Sequence, residues 1–344
     1  MKYFYFPFVW TFVSLILSGL VGYHSGGWTG VGPAVFLVVI LGVLEISLSF
    51  DNAVANAKKL EEMSPVWQTR FMRWGIPIAV VGMRGVFPLV IISIFAHLGP
   101  VAAIDIAINH PDQYARILST ARPDIMAFGG TFLGMVGLKF MFDTEKDVHW
   151  ISFLESQLIK LGKLESFECV VVLGILLIAS HSTPTTADQV SLLVSGIGGL
   201  ITYILVEALG TILDELDSEA VAATAKKGLS AFIFLEVMDA SFSFDGVIGA
   251  FAITTSIFLI ALGLGIGASY VRGMTLMLVK TKALSTYRYL EHGAFWAILV
   301  LYGLMMVSIR HDIPELVSGI AGGGLVFTAW LSSIWYNRRV QSAQ

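Results

Sequence analysis

The chain has 344 residues, of which 56% are hydrophobic and only 13% charged. Soluble domains carry about a quarter of charged residues, so this composition excludes a water-soluble globular protein. A single cysteine, Cys169, excludes an intramolecular disulfide or a thiolate cluster within one chain.

Apolar segments of about 20 residues are long enough to cross a bilayer core as helix. They predict an all-α polytopic membrane protein with about ten transmembrane helices, at 4–23, 31–57, 72–97, 124–143, 167–182, 187–212, 228–252, 254–279, 289–309 and 315–336. The first segment follows Lys2 and is read as a retained span, because Ser18-Gly-Leu-Val-Gly22 is not an Ala-x-Ala cleavage site. The fifth is short, and 101–124 forms the one sizeable outer loop. The linker 149–164 carries Trp150, Ile151, Leu154, Leu158 and Leu161 at helical spacing. It is either an interfacial helix on the membrane surface or an amphipathic helix packed on the bundle. The acidic tract from Asp214 to Glu219 reads as a solvated loop.

Lysine and arginine orient these spans, because short cytoplasmic loops carry them in excess. With the N-terminus inside, sixteen fall on the inner side and three on the outer, Arg116, Arg122 and Arg310. Both termini are therefore expected in the cytoplasm, the chain residing in the cytoplasmic (inner) membrane. Arg84 and Arg272 lie inside spans, away from their ends.

Two stretches within the spans are copies of each other. Glu45-Ile-Ser47-Leu-Ser49-Phe50-Asp51-Asn52 and Asp239-Ala-Ser241-Phe-Ser243-Phe244-Asp245-Gly246 place acid, Ser, Ser, Phe and Asp in one register. Downstream, Arg84-Gly85 matches Arg272-Gly273. The copies lie five spans apart and so run in opposite directions, which predicts a 5+5 inverted repeat, with halves 1–185 and 186–344, around a midplane site.

Ionisable residues inside a membrane mark ion or proton pathways. Glu45, Ser49 and Asn52 share one helical face, which Asn56 extends; Glu236, Asp239, Ser243 and Gly246 share another. Asp51 and Asp245 fall off these faces, so either the helix unwinds near Ser-Phe-Asp or the aspartate addresses a second wall. Gly246 and Gly249 favour a break in the second copy.

Glu45, Asp51, Glu236, Asp239 and Asp245 supply five carboxylates; Asn52, Ser49, Ser241 and Ser243 supply neutral oxygen. An oxygen-only set suits Mg²⁺, Ca²⁺ or Mn²⁺, or Na⁺ among monovalent ions, and argues against Cu(I). Crowded buried carboxylates cannot all ionise without a cation, so metal-for-proton exchange follows as mechanism. A competing account has the acids pair with Arg84 and Arg272 merely to hold the bundle; five acids against two arginines weigh against it. The arginines then serve to balance charge. None of the histidines, His149 in the linker and His292 near a span end included, is assigned as a ligand. No nucleophile–base pair points to an enzyme, and neither a prosthetic group nor a nucleic-acid partner is expected. The partners are the metal ion, protons and the lipid bilayer.

Leu44-Glu45-x-x-Leu48-Ser49-x-Asp51-Asn52-Ala53 resembles the first signature of the TerC family of membrane proteins. Glu236-x-x-Asp239 running to Asp245, then Phe251-Ala-Ile-Thr254, resembles its second. The length resembles a TerC-like subfamily long labelled as of unknown function. That family was first linked to tellurium resistance, and several members are regarded as Mn²⁺ exporters. The resemblance implies Mn²⁺ export, with Glu45, Asp51, Asn52, Glu236, Asp239 and Asp245 as the metal site. It also leaves two alternatives: a membrane scaffold or assembly factor without transport, and a Ca²⁺/Na⁺ antiporter. One departure stands out: Asp245 precedes Gly246-Val-Ile248, where the family has Ser-Ile-Pro.

Overall fold

Gly26 and Gly27 turn the first apolar segment back on itself. In the computed structural model, which describes residues 2–95, 98–215 and 220–342, helix α1 (Tyr5–Leu48) is interrupted by these two glycines. Gly27 has φ 61 and ψ −151, a region essentially reserved for glycine. The arms 5–25 and 28–48 pack antiparallel. A Cβ added to Gly22 would lie 2.4 Å from the Gly30 carbonyl oxygen, an approach open only to residues without side chains.

The chain continues through α2 (Phe50–Glu61) and α3 (Pro65–Pro77), then a π-helical stretch at Ile78–Val86 and α4 (Phe87–Phe95). Next come α5 (Pro100–Asn109), α6 (Pro111–Phe142), α7 (Ser152–Leu161), α8 (Phe167–Ser180) and α9 (Thr186–Glu215). The remainder forms α10 (Ala220–Ile253), α11 (Ile257–Lys280), the short α12 (Ala283–Thr286), α13 (Leu290–Ser308) and α14 (Glu315–Ser342). Among the described residues there is no strand. Among the described residues, seven helical stretches are long and apolar enough to cross a membrane, consistent with an all-α membrane protein. A helix lies at each of the ten predicted segments, but α8 has only 14 residues.

The region 101–124 is a correction: it is helical rather than a loop. Pro100 and Pro111 each open a helix. Proline fits a first turn, whose N–H groups have no intrahelical acceptor. The side chains of the Asp214–Glu219 tract lie outside the described residues.

The chain divides into two compact units, each drawing on both halves of the sequence. The first comprises 1–49, 69–122 and 242–277. Its core joins Leu41 and Val38 of α1 to Val247 and Ala250 of α10 and to Ile260, Leu264 and Ile266 of α11. The second comprises 50–68, 123–241 and 278–344. There α13 packs on α14 and α2, and Ala127, Leu176 and Leu192 tie α6, α8 and α9 together. The boundaries after Ser49 and Ser241 fall within the two motif copies. Both motifs therefore divide their acids between the units.

Candidate functional site

The expected helix break occurs in the first motif copy. Helix α1 ends at Leu48; Ser49 takes φ −109 and ψ 21 and its N–H caps the Glu45 carbonyl; α2 restarts at Phe50. The second copy, despite Gly246 and Gly249, lies in the unbroken α10. Glu45 and Asp51 thus sit on separate helices rather than on one.

In the first unit, the buried Glu45 forms an ion pair through Oε1 with Nη2 of Arg84, which is equally buried. Arg84 sits in the π-helical stretch, where the wider turn is typical of functional or strained positions, and its Nη1 donates to the Ala79 carbonyl at 2.8 Å. Glycines make room for the acid. A Cβ on Gly267 of α11 would lie 2.3 Å from both Cβ and Cγ of Glu45, and one on Gly246 of α10 would lie 3.0 Å from Oε2. Arg272 of α11 is fully buried, its guanidinium 4.0 Å from the centre of the Phe71 ring, a cation–π arrangement. Ser243 is buried, and its Oγ has no hydrogen-bond partner among the described residues. The Asp245 side chain lies outside the described residues.

In the second unit, α2 and α10 meet through amides and a carboxylate. Asn52 and Asn56, one turn apart, each donate Nδ2 to Asp239 Oδ1 at 2.9 Å, and Asn56 Nδ2 also lies 2.9 Å from Asn52 Oδ1. All three side chains are buried, as is Glu236 one turn before Asp239. Asp51 is buried too, and its Oδ1 has no hydrogen-bond partner among the described residues. It rests against α14, where a Cβ on Gly322 would lie 2.6 Å from Oδ2. Ser241 donates its hydroxyl to Val237 O at 3.0 Å on its own helix.

Of the predicted oxygen donors, Asn52 presents its nitrogen to Asp239 and engages its oxygen with Asn56. Among the described residues of the two motif helices, Asp51 Oδ1, Ser243 Oγ and, beside the predicted set, Asn56 Oδ1 have no hydrogen-bond partner. Among the described residues no group of three or more His, Cys, Asp or Glu is gathered to hold a metal ion. Gly267 and Gly322 were not predicted; nothing in one sequence shows which helix will face a glycine.

A cavity of about 670 Å³ lies within the second unit. Its lining includes Ala55 and Met238, the chain neighbours of Asn56 and Asp239. Four lysines and six acids line it, leaving a net negative wall that favours cations. Lys58 pairs with Glu291 at 3.0 Å, and Lys139 with Glu207.

Apolar helices with carboxylates, amides and arginines buried among them define an all-helical protein of the membrane type. The chain belongs to the family described as "Protein of unknown function (DUF475)", whose model matches residues 50–340. No curated protein and no solved structure matches it.

Proposed function

We propose that this protein is a membrane exporter of divalent cations, Mn²⁺ foremost, that exchanges metal for protons by alternating access. The observation that supports this best is Asp51. Its carboxylate is buried with one oxygen unpartnered, one residue before the Asn52–Asn56–Asp239 cluster. A polar group buried without a partner is costly unless a ligand or proton completes it. The acidic cavity lined by the neighbours of Asn56 and Asp239 supplies a route of the right charge. The oxygen chemistry of the acids suits a hard cation, and the resemblance to TerC proteins, carried by the two motifs, points to manganese. In this reading Asp51, Glu236 and Asp239 of the second unit carry charge to the ion; within the first unit Glu45 and Asp245 are the acids, Ser49 and Ser243 the hydroxyls, and Arg84 and Arg272 balance charge. The membrane is the cytoplasmic one, with both termini inside.

The Glu45–Arg84 pair favours a second reading, a membrane scaffold whose buried charges only fasten helices together. Ion flux in proteoliposomes separates the two. Mn²⁺, Ca²⁺, Mg²⁺, Zn²⁺ and Na⁺ are compared using internal metal and pH dyes, with Asp51→Asn and Asp245→Asn beside the native protein. Export predicts Mn²⁺ movement with counter-movement of protons, lost in both variants. Folded native protein that moves no ion leaves the scaffold; movement of Ca²⁺ against Na⁺ leaves the antiporter.

A further inference from the structure

Helix α7 is inverted for an amphipathic helix. Its buried residue is an acid, Glu155, while Phe153, Leu154 and Leu161 are exposed. The apolar side chains are free to rest on a membrane surface, and the helix is fastened to the protein through its charge.

A carboxylate withdrawn from water needs partners. Glu155 Oε1 accepts from Trp296 Nε1 at 3.1 Å and from the backbone N–H groups of Ile151 and Trp150 at 3.2 and 3.3 Å. Oε2 faces two imidazoles, His292 Nδ1 at 3.0 Å and His149 Nδ1 at 3.6 Å, neither aligned as a hydrogen bond. His292, in the first turn of α13, is buried and also lines the cavity of the second unit. The loop 143–151, α7 and α13 therefore converge on one carboxylate.

We propose that Glu155, His149 and His292 form a proton-binding site that latches α7 and the loop before it onto α13 at the cavity wall. The inference is independent of what, if anything, the protein transports. Contacts at ion-pair distance without hydrogen-bond alignment hold firmly only when the imidazole is charged, and histidine is the side chain whose charge changes between pH 5 and 8. Glu155 remains ionised throughout that range. Burial opposes its charge, but His292, Trp296 and the Ile151 N–H outweigh burial and hold the carboxyl down at about 2. A lowered carboxyl pKa contributes stability above the ordinary carboxyl range, lost only as the pH falls towards 2.

The other charges around the site act in both directions. Lys146, on the loop, is itself disfavoured as a cation by burial, while Glu155, Asp143 and Glu291 favour its charge. From α6, Phe140 stands edge-on to His292 at 5.3 Å, and Lys139 lines the same cavity. From α2, Lys58 engages Glu291 at 3.0 Å.

Hydrogen–deuterium exchange of the full chain in lipid nanodiscs tests the latch, at about pH 5.5 and pH 8 with intrinsic rates corrected. Each pKa unit of coupling between carboxylate and imidazole appears as about a tenfold change in the opening equilibrium. The native segment 143–161 should be about tenfold better protected at the lower pH. Glu155→Gln keeps an acceptor for the three donors but removes the charge, so its protection should be the same at both values. His292→Gln should lose most of the difference, which guards against a single variant that folds poorly. Native protection independent of pH, or a pH response that survives in Glu155→Gln, would overturn the proposal.

Discussion

Asn56 on α2 donates to Asp239 Oδ1 on α10 at 2.9 Å, a hydrogen bond spanning 183 positions of sequence. With the parallel bond from Asn52, it joins the helices of the two motif copies within the second unit. The amides neutralise nothing; they orient and partly satisfy a buried carboxylate. Hydrogen bonds to charged groups contribute about 1.5–3 kcal/mol. Asn56→Ala should therefore lower stability by about 2 kcal/mol, measured as thermal unfolding in detergent. Asn56→Asp should cost more, because it sets two carboxylates together, and the excess should shrink when protons are supplied at low pH.

Asp51 depends on a glycine for its position. A methyl group at Gly322 would lie 2.6 Å from Oδ2, whereas one at Gly323 would meet nothing within 4 Å. The obstructed atom is the tip of a flexible side chain, so Gly322→Ala should leave stability within about 1 kcal/mol, Ala being the better helix former by a similar amount. It should nevertheless move the carboxylate. If Asp51 binds the transported ion, Gly322→Ala reduces Mn²⁺ flux severalfold, while Gly323→Ala leaves it unchanged. Equal flux in both variants would remove Asp51 from the ion path.

The parts of this architecture legible in the sequence are those where chemistry contrasts with its surroundings. Acids and arginines inside apolar runs stand out whatever the fold, and the Asn52–Asn56 stripe follows from helical spacing alone. The break beside Asp51 was also legible, though glycines suggested the wrong copy: α10 carries Gly246 and Gly249 without breaking, while Ser49 closes α1. What could not be read was tertiary. Gly267 and Gly322 matter only because of which acid faces them. Glu155 left a weaker trace, for it falls within the apolar stripe of Ile151, Leu154 and Leu158, a place where a solvated acid does not belong. The region 101–124 reads as a loop because it falls between two apolar segments, yet Pro100 and Pro111 each open a helix there.

The Glu45–Arg84 pair yields a double-mutant cycle. The Arg84 and Glu45 side chains are only 5% and 6% exposed, so removing one charge strands the other. Glu45→Leu or Arg84→Leu alone should cost about 3–5 kcal/mol, whereas the double variant should recover most of that loss. Denaturation in mixed micelles reads the cycle. Recovery of stability without recovery of Mn²⁺ flux would show Glu45 acting on the ion as well as on the helices. Recovery of both would assign the pair to structure alone.

Orientation is the remaining expectation that the apolar helices do not settle, and the chain offers a clean test of it. Sixteen of its lysines and arginines fall on one predicted side and three on the other, a bias that predicts a cytoplasmic location for the loop before α8. Cys169 is the only cysteine, so Cys169→Ser gives a silent background. On it, Lys163→Cys and His311→Cys probe opposite sides; both native residues are exposed. A membrane-impermeant maleimide added outside intact spheroplasts should label His311→Cys at once and Lys163→Cys only after lysis. The same result would place α7 and its latch on the cytoplasmic face, where the proton concentration that matters is the cell's own. The opposite labelling would turn the acidic cavity outward and make uptake, rather than export, the direction its charge favours.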